Sequence, residues 1–240
     1  MKKLLILFVF YHIKINVFSQ KTNVYQSGII GQENLQAIAN VSPTSVGGVG
    51  FDNRYEGIKG STRLFDTLMA SYMLVRGQEK YIQFNSDIDV VRNKLVFSHP
   101  TSGKLMELSS DIVSELIINK DGKELLFKTT RGLQFDKDIK DIKFCQILME
   151  EPLKFIKIPE KTFIEADYKA AYSADRRYDE FKPFSRYFLE GEDGILHQIQ
   201  LNRKSLTKLF PDKKDMINKE FRETDKDENE EKFISVLEKF

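Results

Sequence analysis

The sequence predicts an α+β chain dominated by β-structure: a mostly antiparallel curved sheet, roll or partly open barrel, followed by a short C-terminal helical segment. Three observations predict it. From Leu68 to Ile164 the apolar residues come in short runs separated by turn residues. The runs follow one another too closely for crossover helices, so neighbouring strands must pair antiparallel. After Asn202 the apolar spacing shifts from the period of a strand to that of a helix.

At the start of the chain, Lys2 and Lys3 precede the apolar run Leu4 to Phe10, and Val17 and Ser19 occupy the positions a signal peptidase reads before a cut after Ser19. Residues 1–19 are therefore expected to be a signal peptide, and the mature protein to be exported, either periplasmic or associated with the outer membrane. The run is shorter than the ~20 apolar residues of a spanning helix, so no permanent transmembrane helix is expected. No cysteine lies near the cut for lipid attachment. Trimming removes Lys2, Lys3 and Lys14 and no acid, which leaves 34 bases against 36 acids and a net charge of −2. That balance disfavours nucleic acid, whose phosphates require a basic excess.

Residues 20–62, with the run Ser42-Pro43-Thr44-Ser45-Val46-Gly47-Gly48-Val49-Gly50, read as a flexible leader. The glycines do not make a phosphate loop, because no Lys-Ser or Lys-Thr pair follows them and no strand precedes them. Residues 63–202 form the expected antiparallel β domain. Its strands are Met69–Val75, Lys80–Phe84, Ile88–Val91, Lys94–Phe97, Lys104–Leu108, Val113–Ile118, Glu124–Lys128, Phe144–Leu148 and Leu153–Ile158. Turns are expected at Arg76-Gly77, Arg92-Asn93 and Ser102-Gly103. The sharpest turn is Asn119-Lys120-Asp121-Gly122, where glycine supplies the positive φ of a tight hairpin. A long loop is expected over 165–185, with strands resuming at Arg186–Leu189 and Ile195–Leu201 around the turn Glu192-Asp193-Gly194. Residues 203–240 are expected to be helices packed on the β domain. They present Leu206, Leu209 and Phe210, then Met216, Ile217 and Phe221 after Pro211, then Phe233, Ile234, Leu237 and Phe240.

No constellation reads as catalytic, and no metal or cofactor is expected. Cys145 is the only cysteine, so an intramolecular disulfide is impossible. His99 and His197 stand far apart and lack zinc-site spacing. Ser205-Leu206-Thr207-Lys208 has Ser-x-x-Lys spacing without its companion motifs, and Ser205 stands where a helix N-cap belongs. Asp225, Asp227 and Asn229 begin a calcium-loop spacing that fails at Glu230 and Val236. Among the carboxylates, Glu190 and Glu192 are the candidates for a hydrolase, beside Glu150-Glu151. The stretch with binding character is the loop where Tyr168, Tyr172, Tyr178 and Tyr187 alternate with Arg176, Arg177 and Arg186, the residue types that interface hot spots use. Tyr168, Tyr172, Arg176, Arg177, Tyr178 and Tyr187 are the candidate ligand or partner surface.

From about Tyr55-Glu56-Gly57-Ile58-Lys59-Gly60-Ser61 onward two stretches carry a resemblance: Tyr187-Phe188-Leu189-Glu190-Gly191-Glu192-Asp193-Gly194, and Lys204-Ser205-Leu206 through Leu209-Phe210-Pro211-Asp212-Lys213-Lys214 into the closing helix. They resemble a diffuse set of uncharacterised exported proteins from Gram-negative bacteria. The resemblance implies export and a β-then-α layout, and it lends no catalytic residue. The expected function is an exported, non-catalytic binding or structural module that meets an envelope protein or glycan. The alternatives are an envelope hydrolase and an outer-membrane β-barrel.

Overall fold

A computed structural model describes residues 46–48, 57–99, 102–166, 178–222 and 229–240. Eleven strands form one antiparallel sheet: β1 (Val46–Gly48), β2 (Met69–Val75), β3 (Tyr81–Asp89), β4 (Lys94–Ser98), β5 (Leu105–Ser109), β6 (Val113–Lys120), β7 (Lys123–Thr129), β8 (Phe144–Met149), β9 (Phe155–Ile164), β10 (Glu180–Glu190) and β11 (Leu196–Ile199). Their order is β1-β5-β4-β3-β2-β6-β7-β8-β9-β10-β11, so the sheet is open, with β1 and β11 as its end strands. Helices α1 (Arg203–Leu209), α2 (Lys214–Arg222) and α3 (Glu230–Leu237) follow. The β-rich antiparallel sheet with a short helical tail is the expected architecture.

Local chemistry sets the elements as read from the sequence. Asp121 and Gly122 have φ of 54° and 80°, the pair of positive values that a two-residue hairpin between β6 and β7 requires. The Asn202 side chain caps α1 by accepting from the Ser205 N–H at 2.8 Å, and Asn229 caps α3 by accepting from the Lys232 N–H at 2.9 Å. Ser205 is thus not the cap; it sits inside the first turn, where its hydroxyl accepts from the Gln200 N–H. The hydroxyl is engaged locally.

Two short connections show how strongly the sheet curls. Lys59 pairs with Glu180 of β10, and Arg63 pairs with Asp89 of β3. In a flat sheet these strands would stand six spacings apart, roughly 29 Å at ~4.8 Å each. Four residues reach at most ~14 Å. Ser109 and Val113 likewise join β5 to β6, which the sheet order separates by four spacings, or about 19 Å flat. Curling gives the sheet a concave face. Because ladder partners share a face, Ile82, Met73, Leu116, Phe127, Gln146, Lys157 and Tyr187 all lie on that side. One part of the core fills it at β2 to β7, around Met73, Leu95, Phe97, Leu116 and Phe127. The other part lies where Leu206, Phe210, Ile217, Phe233 and Leu237 of the helical tail meet Phe155 and Leu189. On the convex face a smaller cluster of Cys145, Ile156, Ile158, Phe188 and Leu196 is covered by Leu133, Phe135 and Ile139.

Sequence expectations change at other places besides the Ser205 cap: the strands expected at Lys80–Phe84 and Ile88–Val91 are one continuous strand, β3. Val46–Gly48, assigned to the flexible leader, forms β1 against β5, and residues 57–62 of the same stretch, continuing into 63–65, bridge β10 and β3. The backbone hydrogen bonds from Leu64 to Ile88 and from Val90 to Thr62 hold that bridge. The long loop ends before Glu180 rather than at 185, since β10 begins there and pairs with β9 from Ile164 onward. Pro183 lies inside this strand. Phe181 donates its N–H away from β9 to Lys59, so Pro183, two residues on, faces the same free edge and needs no N–H.

Candidate interaction surface

The β9–β10 pair outruns its neighbours. β8 has its last rung on β9 at Lys157, and β11 has its last rung on β10 at Tyr187. Beyond those rungs, residues 158–164 and 180–186 continue as a two-stranded ribbon. The ribbon is pinned at its base. Glu160 accepts from Arg186 at 2.5 Å and from Lys143, so burial, which opposes its charge, is outweighed by these two cations and the carboxyl is held below its ordinary range. Lys161, almost fully covered, donates to the Arg63 carbonyl midway along the ribbon, and at its far end Lys59 pairs with Glu180 and accepts from the Phe181 N–H, so a third chain segment runs beside β10 there.

The ribbon exposes aromatic side chains both near its base and at its far end. Among the described residues, five large hydrophobic side chains are exposed, and three of them are Phe163, Tyr178 and Phe184, at 42%, 62% and 45%. Phe163 packs at a tilt on the buried Phe181 with ring centroids 5.4 Å apart, which fixes it on the concave side. Phe184 pairs with Glu160 in the ladder, an odd number of residues from Phe163, so it stands on the opposite side.

The structure divides the residues singled out in the sequence. Tyr178 lies at the far end of the ribbon. Tyr168, Tyr172, Arg176 and Arg177 lie outside the described residues. Tyr187 does not belong to the surface: it lies half-buried on the concave face, stacked on Phe155, with its hydroxyl donated to Glu230 at 2.6 Å. Burial and the neighbouring Glu230 charge both push its phenol well above the usual range. Nine residues of extended chain put it roughly 30 Å from Tyr178. Sequence reading missed Phe163 and Phe184; the available signal was Phe181-Lys182-Pro183-Phe184, an alternating edge-strand pattern interrupted by a proline.

The other candidates are tied into the fold. Glu190 accepts from the Lys154 N–H at 3.1 Å, Glu192 stands exposed in the turn after β10, and Glu150 pairs with Lys128 at 2.6 Å. His197 lies 3.0 Å from Asp193 and 3.7 Å from Asp136, stitching the β10–β11 turn to the 134–136 segment that covers β11. The His99 ring accepts from the Ser102 N–H within its hairpin turn. Burial pushes the Cys145 thiol up to about 12. Among the described residues no group of three or more His, Cys, Asp or Glu side chains could hold a metal ion, and no helix is long and apolar enough to cross a membrane. A groove of about 570 Å³ runs between β7, β8 and α3, but the Glu230 carboxylate facing it is bound to Lys157 and Tyr187. No family model, curated protein or solved structure matches this chain, so the surface is read from its own chemistry.

Proposed function

We propose that the chain is an exported, non-catalytic binding module of the cell envelope that engages its partner through the exposed aromatic side chains of the β9–β10 ribbon. One observation carries the reading: three exposed aromatic side chains, Phe163, Tyr178 and Phe184, gather on a ribbon that has left the sheet's other strands behind. Grouped exposed aromatic side chains mark a surface for contact with something else. Each loses little conformational freedom on binding and buries a large apolar area. Export is inferred from the Lys2, Lys3, Leu4–Phe10 and Val17/Ser19 pattern. Of the hydrolase candidates, Glu190 accepts from the Lys154 N–H and Glu192 stands exposed in the turn after β10. The barrel alternative requires closure of the sheet, and this sheet ends at β1 and β11.

The test incubates the purified mature chain with envelope polysaccharide, peptidoglycan and outer-membrane extract. Retention on one of these fractions, lost in Phe184→Ser, is the expected result. Retention on none of them removes the proposal.

A further inference from the structure

We infer that the groove between β7, β8 and α3 is a second binding site, separate from the β9–β10 ribbon, and that it takes an extended peptide segment of a partner, with alternating apolar side chains and a basic residue. Three observations lead there. The first is a split in the sheet. β7 and β8 pair from Thr129 and Phe144 to Phe127 and Gln146, and there the rungs stop, although β7 begins at Lys123 and β8 runs to Met149. Their outer ladders continue: β7 stays on β6 to Lys123, and β8 stays on β9 to Met149. Thr130 donates to the Lys143 carbonyl across the paired end. By alternation, Leu126 and Glu124 of β7 and Ile147 of β8 turn their backbone groups toward the split. Two facing strand edges without rungs are a template for a further strand. The second observation is the lining. Leu125 belongs to the core at β2 to β7, and Leu148 and Ile234 to the core under the helices. The groove of about 570 Å³ runs between them and leaves all three only partly buried. Lys128, on the Cys145 rung, reaches Glu150 across the convex side, so the opening lies on the concave side beside α3. The third is charge. Glu124 and Glu231 line the groove and make no ion pair among the described residues, while Glu230 is already bound by Lys157 and Tyr187. Two carboxylates without a cation partner there complement a basic side chain.

Two measurements on the purified mature chain test this. In the chain alone, the Leu126 amide, beyond the last rung, exchanges at least tenfold faster than the Lys128 amide, which faces β8 within the ladder. Equal protection means that the two edges are already joined and overturns the inference. The second measurement adds the capped peptide Lys-Val-Thr-Val-Thr-Val-Lys and follows the amides by NMR. At millimolar concentration the peptide shifts the Glu124, Leu126 and Ile147 signals and slows Leu126 exchange at least tenfold. N-methylation of its valines, which blocks one strand edge, abolishes both effects. Glu124→Lys, at an exposed position, weakens binding at least threefold while circular dichroism stays unchanged. No shift at these amides, equal shifts with the N-methylated peptide, or an unchanged affinity in Glu124→Lys overturns the inference. Shifts confined to the β9–β10 ribbon overturn it as well and leave the ribbon as the contact surface. The Phe184→Ser chain binds the peptide as wild type does, so failure of the ribbon proposal leaves the groove standing.

Discussion

The Tyr187 hydroxyl of β10 donates to the Glu230 carboxylate of α3 at 2.6 Å, and Lys157 of β9 reaches the same oxygen at 2.6 Å. One carboxylate thereby joins the last helix to two strands. Burial opposes ionisation of Glu230, but the hydrogen bonds from Lys157 and Tyr187, with the charges of Lys157 and Lys123, hold it below its ordinary 4.5. A hydrogen bond to a charged group contributes about 1.5–3 kcal/mol, so Tyr187→Phe is expected to cost about 1–2 kcal/mol, and Glu230→Ala somewhat more because two donors lose their acceptor. Since the folded value is depressed, this stabilisation is complete above pH 4.5 and is lost as pH falls through the lower folded value. Urea unfolding of both variants at pH 7 and pH 3 checks it: the gap to wild type should shrink at pH 3.

Asp87 behaves in the opposite sense. Its side chain is fully buried, accepts from the Ile88 and Phe65 N–H groups, and among the described residues has no cation in hydrogen-bonding contact. Burial is the main cause that raises it from 3.8 to about 6; the two N–H groups and the charge of Arg63 pull it back only partly. A raised carboxyl stabilises the fold fully below pH 3.8, and that contribution is lost as pH rises through about 6. The difference is on the order of 3 kcal/mol. Asp87→Asn carries no such dependence. The stability of the variant relative to wild type, measured by urea unfolding, should therefore rise between pH 4 and pH 7.5. A constant difference would show that Asp87 ionises freely.

The strands were legible wherever a turn had its own chemistry, as at Asp121-Gly122, because that signal is local. β10 was half-legible. From Arg186 onward it alternates cleanly between the helix-covered face and the Phe188 cluster. Before that, both faces of the ribbon carry aromatics, so no face looks buried and the alternation disappears. The curl of the sheet was not legible at all. It depends on Lys59 reaching Glu180 and Arg63 reaching Asp89, contacts with no sequence pattern of their own. Tyr187 was misread for the same reason: its partner, Glu230, lies 43 residues further on.

Gly60 sits inside that bridge with φ of 82°, and a Cβ there would stand 3.3 Å from the Phe181 carbonyl oxygen. Gly77 has a similar φ of 77° with open space around it. Alanine at either site incurs the left-handed penalty of about 1 kcal/mol. Only Gly60→Ala also crowds the β10 backbone, so it should cost about 2 kcal/mol and speed amide exchange at Phe181, whose N–H bonds to Lys59. Equal costs at both sites, by thermal unfolding, would show that the bridge gives way without strain.

Cys145 is fully buried with its thiol directed to the Lys128 carbonyl, and burial raises it to about 12. A thiol in that state has almost no thiolate at pH 8. Native protein should resist alkylation for hours and take up one equivalent of reagent in urea, a result read directly by mass spectrometry. Rapid labelling of the folded chain would mean that the Leu133–Ile139 cover opens readily.

Phe184 and Phe188 lie on the same side of β10, four residues apart. Phe188 is fully buried and packs edge-on against Phe135 with centroids 5.0 Å apart; Phe184 is 45% exposed. Removing the first opens a cavity, so Phe188→Ala should cost about 3–5 kcal/mol. Phe184→Ser should change unfolding free energy by no more than about 0.5 kcal/mol. If the ribbon is a contact surface, the same Phe184→Ser protein should lose at least tenfold in retention on the envelope fraction that holds wild type. The pair separates folding from contact: a phenylalanine that the core does not use but binding requires is held on the surface by function. Substantial destabilisation by Phe184→Ser would instead make it a packing residue and take away the principal support for the proposed surface.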